Sequence, residues 1–306
     1  MMNRKAIIDV GSNSIKFFLG ELGQDGTIQT VMDETDIARL GEGLRETGMI
    51  SPEAMRRNSE AVTRFTEKAR ENGAGEIICV GTMALRNAKN TGEFIKLVKE
   101  TSGIKLSVIL GEEEARLSYL AVLSGLPLKK GKLAVFDTGG GSTEFIFGKG
   151  YMVSKRFSVD LGAIRITEKH FKADPVSQSD VSAAIQEIDS IFNENGVSGS
   201  VAHLVGMGGT VTSMGAVMHK MAEYNPNVIQ GSKLTLAEVE EQIGVYSAKT
   251  VDERKKIVGL HPKRADVILA GACILKVIIN RLGVDELMIS DRGLRHGIAF
   301  DVFTKK

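Results

Sequence analysis

The sequence predicts a mixed α/β protein of two domains, with open sheets covered by helices on both faces. Its 306 residues exceed what one hydrophobic core usually supports. Strand-like apolar segments alternate with helical ones along the chain. A hairpin motif also occurs twice, 128 positions apart. We therefore expect a first domain over residues 1–126 and a second over 127–306, with the final helix able to pack back on the first.

The repeated motif begins at Asp9 and again at Asp137. Segment Asp9–Gly20 aligns with Asp137–Gly148, and Asp, Gly, Ser, Phe and Gly recur at the same offsets. Each copy contains an apolar strand, an Asp, a glycine and serine turn, and a second strand, which predicts a β-hairpin. Such turns let backbone N–H groups converge on an anion, and an Asp at the strand end can hold Mg²⁺. We favour duplicated phosphate loops over two unrelated hairpins.

The remaining elements follow from apolar periodicity and from helix-start signals such as Ser51-Pro52. Predicted helices cover Ser51–Asn72, Gly92–Ser102, Glu112–Leu123, Gly162–Phe171, Ser179–Glu194, Val211–Met221, Thr235–Ser247, Arg264–Leu282 and a last helix from about Gly293. Predicted strands cover Ala6–Ile8, Glu76–Val80, Leu106–Leu110, Leu133–Phe136, Val201–Val205 and Glu286–Ser290. Segment Leu126–Lys132 combines Pro, Gly and several lysines, and it is the predicted joint between the domains.

Polar groups follow the carboxyl ends of several predicted strands, where open α/β sheets keep their ligand sites. These segments are Asp9–Ser14, Gly81–Arg86, Gly111–Arg116, Asp137–Glu144 and Gly206–Thr210. Arg86 suits phosphate binding near a helix N-terminus, although most arginines are simply solvated. The three carboxylates of Glu112–Glu114 either stabilise a helix start or face the ligand, where one of them could orient a water.

The glycine turn that contains Gly208 and Gly209 lacks the spacing of a dinucleotide-binding fingerprint, and the chain has no Walker A motif. We expect this turn to bind the distal part of an anionic or nucleotide ligand. The net charge of +1 gives no global field for nucleic acid, and no apolar run is long enough to span a bilayer. Cys79 and Cys273 lie in apolar stretches, which indicates reduced, buried thiols. The sequence after Met1 does not have the apolar pattern of a secretory leader, so we expect a cytoplasmic protein. The five histidines show no zinc-site spacing.

Taken together, these motifs resemble the exopolyphosphatase and guanosine pentaphosphate phosphatase family (Ppx/GppA) of the actin-like superfamily. The matching segments, in the family's order, are Ile8–Ser14, Val80–Thr82 with Leu85-Arg86, Gly111–Arg116, Phe136–Glu144, and Ser290-Asp291 with Leu294-Arg295. The resemblance implies two actin-like, ribonuclease H-like domains with substrate in the cleft between them. It also implies a homodimer, although no sequence stripe marks an interface.

The resemblance further implies a role for each matching residue. Glu114 is the expected catalytic base, acting with Asp137 and Glu144. Mg²⁺, or alternatively Mn²⁺, is expected on Asp137, Asp9 and Glu144. The expected substrate-binding residues are Asn13, Ser14, Arg86, Gly139, Gly140, Gly141, Ser142 and Arg264. The glycine turn described above adds Gly208 and Gly209 to them. Arg292 stands where relatives often carry a small residue.

The function that follows is release of terminal orthophosphate from inorganic polyphosphate or guanosine pentaphosphate, with the choice between them open. An actin-like kinase or ATPase would keep the same two hairpins and act on ATP. A sensor of polyphosphate or of an alarmone nucleotide would bind without releasing phosphate. The clustered carboxylates Glu114, Asp137 and Glu144 disfavour the sensor, because binding an anion alone would select against them.

Overall fold

The structure, a computed structural model, describes residues 4–24, 26–128 and 130–304. Met1–Asn3 of the N-terminus and Lys129 of the predicted joint lie outside the described residues. The chain forms two compact units, one of Met1–Ser124 with Leu294–Lys306 and one of Gly125–Gly293. The chain thus divides after Ser124 rather than after Leu126, and the final helix groups with the first unit.

The first half contains five strands and five helices among the described residues. They are β1 (Arg4–Val10), β2 (Ile15–Leu22), β3 (Ile28–Asp36), α1 (Leu44–Thr47), α2 (Pro52–Glu71), β4 (Ala74–Gly81), α3 (Met83–Asn87), α4 (Thr91–Ser102), β5 (Leu106–Val108) and α5 (Gly111–Gly125). Helix α2 begins as its sequence predicts, because Pro52 is its first residue and the Ser51 hydroxyl accepts the Ala54 N–H at 3.1 Å.

The remaining elements follow in chain order. They are β6 (Lys132–Thr138), β7 (Thr143–Lys149), β8 (Met152–Val159), α6 (Ala163–His170), α7 (Gln178–Glu194), β9 (His203–Met207), α8 (Gly209–Met218), α9 (Pro226–Ile229), β10 (Lys233–Thr235), α10 (Leu236–Ser247), α11 (Val251–Arg254), a 3₁₀ turn (Pro262–Arg264), α12 (Ile268–Arg281), β11 (Glu286–Ser290) and α13 (Leu294–Thr304).

Each unit is built on one sheet, and the second sheet, read from β8, repeats the strand order of the first with β10 added at its end. The first is β3-β2-β1-β4-β5, and the second is β10-β11-β9-β6-β7-β8. In both sheets, three consecutive strands (β1–β3 or β6–β8) form an antiparallel meander. The first strand of each meander also pairs with a parallel strand, which in turn pairs with a second parallel strand. The carboxyl ends of the parallel strands therefore lie at one edge of each sheet. The predicted fold class is confirmed, and the repeated hairpins are β1-β2 and β6-β7.

Apolar side chains cover both faces of the first sheet. On one face, Phe17 and Val10 pack with Phe65 of α2 and Phe94 of α4. On the other, Ile7, Phe18 and Val80 pack with Leu117 of α5 and with α13 through Leu294, Ile298, Ala299 and Phe303. In the second unit the largest cluster is built around α12, whose Ile268–Ile279 stretch is almost entirely buried. Among the described residues no helix is long and apolar enough to cross a membrane.

Several element bounds differ from the predicted ones. Strands β1 and β6 continue through Asp9 and Asp137 instead of ending before them. The long predicted helix over Arg264–Leu282 starts as a separate 3₁₀ turn, and the regular α12 begins only at Ile268. The pattern also gave no separate prediction for β3, whose residues are half-buried or exposed and none of which is fully buried. It lies at the edge of its sheet, where burial leaves little pattern to detect.

Candidate active site

The two repeated turns have nearly the same backbone geometry. Gly11 N–H donates to the Ser14 carbonyl at 3.0 Å, and Gly139 N–H donates to the Ser142 carbonyl at 2.9 Å. The flanking strands pair in the same register, with Asp9 opposite Lys16 and Asp137 opposite Glu144. The expected duplication is therefore present in the structure as two equivalent hairpins, one in each unit.

In both turns, amides of a following segment bind the carbonyl oxygens. In the first, Arg39 and Gly41 N–H groups donate to Asn13 and Ser12 at 2.9 and 2.8 Å. In the second, the first amides of α6 donate to the Gly139 and Gly140 carbonyls at 3.0 and 2.9 Å. Among the described residues, no protein group accepts the N–H of Ser12, Asn13, Gly140 or Gly141. These turns therefore present unpaired amides, which suit an anion.

Asp9 is the buried carboxylate of the first unit, with 6% of its surface exposed. Burial raises the pKa of Asp9 to about 6. The positive charges of Lys16 and Arg295 lower this pKa, and the negative charge of Glu114 raises it further. Asp9 thus lies within electrostatic reach of the expected base and of two cations. A cation bound here would keep the carboxylate ionised.

Arg86 and Glu114 form an ion pair at the carboxyl ends of β4 and β5. Arg86 Nη1 donates to Glu114 Oε2 at 2.7 Å and to the Ile109 carbonyl at 3.0 Å. Both side chains remain partly exposed, at 26% and 30%. Asp9 lies in β1, and Arg86 and Glu114 lie in the helices that follow β4 and β5. Because β1, β4 and β5 are neighbouring parallel strands, the sheet brings all three residues to one edge.

In the second unit, Asp137 lies among Gly208, Gly209 and Arg264. A β-carbon at Gly208 would overlap the Asp137 carboxylate, and one at Gly209 would overlap the Arg264 guanidinium. Burial lowers the pKa of Arg264, and the charge of Asp137 opposes that change. The Thr210 hydroxyl donates to the Thr138 carbonyl at 3.0 Å and ties the two strand ends together.

Glu144 is exposed, and its Oε1 accepts the Ser158 hydroxyl at 3.0 Å. Its Cα partner in the hairpin is Asp137, so the two carboxylates stand on the same face of the sheet. Among the described residues, no three Asp, Glu, His or Cys side chains group closely enough to hold a metal by themselves. Asp9 and Asp137 belong to different units.

Two residues of the first unit were given no role in the sequence analysis. Lys16 lies opposite Asp9 and is half-buried, and Arg295 is 9% exposed and acts on the same carboxylate. The repeat contained a signal for Lys16, because the 128-residue offset aligns it with Glu144. The two hairpins therefore carry opposite charges at equivalent positions. Arg292 belongs to the second unit, where its side chain lies against Gly125 and burial lowers its pKa.

Comparisons with known proteins identify the family of this chain. A model of the Ppx/GppA phosphatase family matches residues 22–306. Exopolyphosphatase 2 of Mycobacterium tuberculosis is 31% identical over 316 aligned positions, which cover 98% of this chain and 99% of that protein. A protein of Vibrio cholerae named guanosine-5'-triphosphate,3'-diphosphate pyrophosphatase is 32% identical over 97% of this chain, which spans 59% of that relative's length.

A solved structure shows the same likeness. The crystal structure of the Ppx/GppA family member of Aquifex aeolicus superposes with a TM-score of 0.90 and 31% identity, covering 99% of this chain and 98% of that one. The family match, the shared length and the repeated hairpins are mutually consistent. The chain is therefore a hydrolase that belongs to the Ppx/GppA phosphatase family.

Proposed function

We propose that this chain releases terminal orthophosphate from inorganic polyphosphate or guanosine pentaphosphate in a Mg²⁺-dependent reaction, with Glu114 as the base that activates water. The observation that carries the proposal is the Arg86–Glu114 pair at 2.7 Å, at the same sheet edge as the first turn. The names of the relatives support the two substrate classes, because one is an exopolyphosphatase and another a guanosine pentaphosphate phosphatase.

The paired side chains can divide the work of hydrolysis. Glu114 is a carboxylate with one oxygen bound by Arg86, so its other oxygen is suited to accept a proton from water. Arg86 carries a planar, permanently charged fork that can bind phosphate oxygens as well as a carboxylate. A phosphate that binds Arg86 is thereby placed beside the base. No covalent intermediate is required.

The residues present also fit Mg²⁺. This ion is usually held by only one or two carboxylates together with waters and substrate phosphates. Asp9 is a buried carboxylate whose pKa is raised by desolvation, and Asp137 and Glu144 form an opposed pair in the second unit. The proposed ligand residues are Asp9 in the first unit, and Asp137 with Glu144 in the second. When bound, the ion would neutralise charge on the phosphate oxygens.

The two turns supply the remaining stabilisation. Unpaired amides of Ser12 and Asn13, and of Gly140 and Gly141, are suited to hydrogen-bond phosphate oxygens. Preorganised amide donors are most effective where negative charge spreads over a phosphoryl group in the transition state. Each turn is thus suited to bind a phosphate of the substrate.

The test is orthophosphate release from polyphosphates of several lengths, guanosine pentaphosphate and ATP, with and without Mg²⁺. Wild type is compared with Glu114→Gln and with Glu112→Gln, which makes the same change at an exposed position of the same helix turn. We expect Glu114→Gln to lower kcat at least about a hundredfold, because general base catalysis contributes roughly that factor or more. Glu112→Gln should stay close to wild type.

Other outcomes would contradict the proposal in different ways. Release from ATP alone would assign the chain to the kinase and ATPase class. Tight binding of polyphosphate without release from any substrate would assign it to the sensors. Full activity of Glu114→Gln with an unchanged fold would remove Glu114 from the chemistry while leaving the hydrolase class intact.

A further inference from the structure

Arg116 lies at the centre of an ion-pair network that joins α5 to the last helix. Its Nε and Nη2 donate to the Glu113 carboxylate at 2.8 and 2.7 Å. Its Nη1 and Nη2 donate to the Asp301 carboxylate of α13 at 2.9 and 3.1 Å. One guanidinium therefore binds two carboxylates, one on its own helix and one 185 residues further along the chain.

Helix α13 is itself firmly held on the first sheet. Arg295 donates to Asp33 of β3 through two bonds of 2.6 and 2.9 Å, and His296 Nε2 lies 2.9 Å from the same carboxylate. Ile298 and Phe303 pack into the apolar cluster beneath the helix. Asp301 is therefore attached to a fixed surface, with only 12% of its side chain exposed.

The network reaches the residue next to the proposed base. Glu113 and Glu114 are neighbours in the first turn of α5, and their side chains leave the helix about 100° apart. Glu113 is bound by Arg116, and Glu114 is bound by Arg86 at 2.7 Å. The first turn of α5 is thus held from two directions, and its rotation about the helix axis is restricted.

Resting on the proposed role of Glu114, we propose that Arg116 and Asp301 are positioning residues for that base: they hold the first turn of α5 against α13 and so fix where the Glu114 carboxylate stands. Neither residue touches substrate in this scheme. Their contribution comes through the geometry of Glu114, since small displacements of a reacting group from its productive position are costly in rate. Lysine cannot replace Arg116, because an ammonium group lacks the fork that binds two carboxylates.

The test measures kcat, KM and thermal midpoint for Asp301→Asn and Arg116→Lys with the preferred substrate, well below the unfolding temperature. Glu21→Gln is the matched control, because Glu21 pairs with Arg4 at 2.7 Å in the same unit and has similar exposure. Asp301→Asn is then combined with Glu114→Asp, which keeps a carboxylate one methylene away from its native place.

We expect Asp301→Asn and Arg116→Lys to lower kcat about tenfold with little change in KM, while Glu21→Gln changes neither. In the Glu114→Asp background the effect of Asp301→Asn should shrink to less than about twofold, because the base is already displaced. A purely structural role predicts the same factor in both backgrounds, and that result would overturn the inference.

Equal behaviour of Asp301→Asn, Arg116→Lys and Glu21→Gln would also overturn it. Failure of the proposed function has a separate signature, since Glu114→Gln would then retain activity. The two ideas are therefore distinguished by different variants in one set of measurements.

Discussion

The Asp137 carboxylate occupies the space that a side chain at Gly208 would need. Gly208 has a φ of +82°, and a β-carbon there would overlap the Asp137 carboxylate. Gly209 has the same relation to the Arg264 guanidinium. Directly after β9, Gly208 and Gly209 therefore place backbone without side chains against the Asp137 carboxylate and the Arg264 guanidinium.

Gly208→Ala should displace Asp137 and lower kcat/KM at least about tenfold, with a higher Mg²⁺ requirement. Gly196→Ala is the control, because Gly196 also has a positive φ, +67°, but no atom lies within 4 Å of its β-carbon position. Both variants place a β-carbon at a positive φ, and the backbone strain is larger at Gly208, whose ψ of 176° lies in a region that is essentially restricted to glycine. Steady-state kinetics across a Mg²⁺ titration distinguishes the two variants. An equal loss of kcat/KM in both would contradict a specific role for the contact between Gly208 and Asp137.

Arg86→Gln should lower kcat/KM about a hundredfold, because it removes a charged partner of the base and a proposed phosphate contact together. Arg86→Lys should fall between that variant and wild type, since it keeps the charge without the fork. Arg64→Gln provides the control, because Arg64 pairs with Asp36 and is 60% exposed. A wild-type rate for Arg86→Gln in phosphate-release assays would remove Arg86 from the site.

Asp137→Asn should raise the Mg²⁺ concentration for half-maximal activity about tenfold or more, as loss of a metal ligand commonly does. Chelation by EDTA should abolish release from wild type, and added Mg²⁺ should restore it. Asp285→Asn alters an exposed carboxylate elsewhere in the second unit and should leave the titration unchanged. Undiminished release after chelation would refute the dependence on a divalent ion.

Asp33 should contribute to stability in a pH-dependent way. Burial raises the pKa of Asp33, but hydrogen bonds from His296 and Arg295 outweigh it and bring the pKa below its usual value. A carboxyl whose folded pKa is lower stabilises the fold above its unfolded pKa of about 4, and this contribution disappears as pH falls through the folded pKa.

Asp33→Asn should therefore lower the free energy of unfolding by about 1–2 kcal/mol at neutral pH, and the difference should narrow as the solution is acidified. Urea denaturation at several pH values measures it. Asp36→Asn, on the same strand and paired with the exposed Arg64, should have little effect at any pH. If the free energy of unfolding of Asp33→Asn were lower than that of wild type by the same amount at every pH, the loss would come from packing instead.

Much of the fold could be predicted because local signals and tertiary structure agree. Ser51-Pro52 marks the start of α2, and the recurrence at Asp9 and Asp137 identifies two hairpins that the sheets indeed contain. Edge strand β3 was not predicted, since its residues bury no complete face. The start of α12 was misplaced because Pro262–Arg264 form their own 3₁₀ turn before the helix.

The sequence indicated which residues follow the strand ends, but not the contacts that they make. Strand ends indicated that Arg86 and Glu114 lie at one sheet edge, yet their 2.7 Å pairing joins residues 28 positions apart and depends on the tertiary fold. The approach of Arg264 to Gly209 depends on the turn before α12. Nothing local in the sequence connects Arg116 to Asp301, because charge pairs 185 residues apart leave no periodic pattern.

The last helix belongs to the first unit, although the whole second unit separates it from that unit's other elements. During synthesis, the sheet face formed by Ile7, Phe18 and Val80 lacks the part of its cover that α13 provides until Leu294–Thr304 leave the ribosome. The second unit, Gly125–Gly293, is continuous and can complete its own core earlier. The order of domain maturation on the ribosome should therefore be the reverse of the order of synthesis.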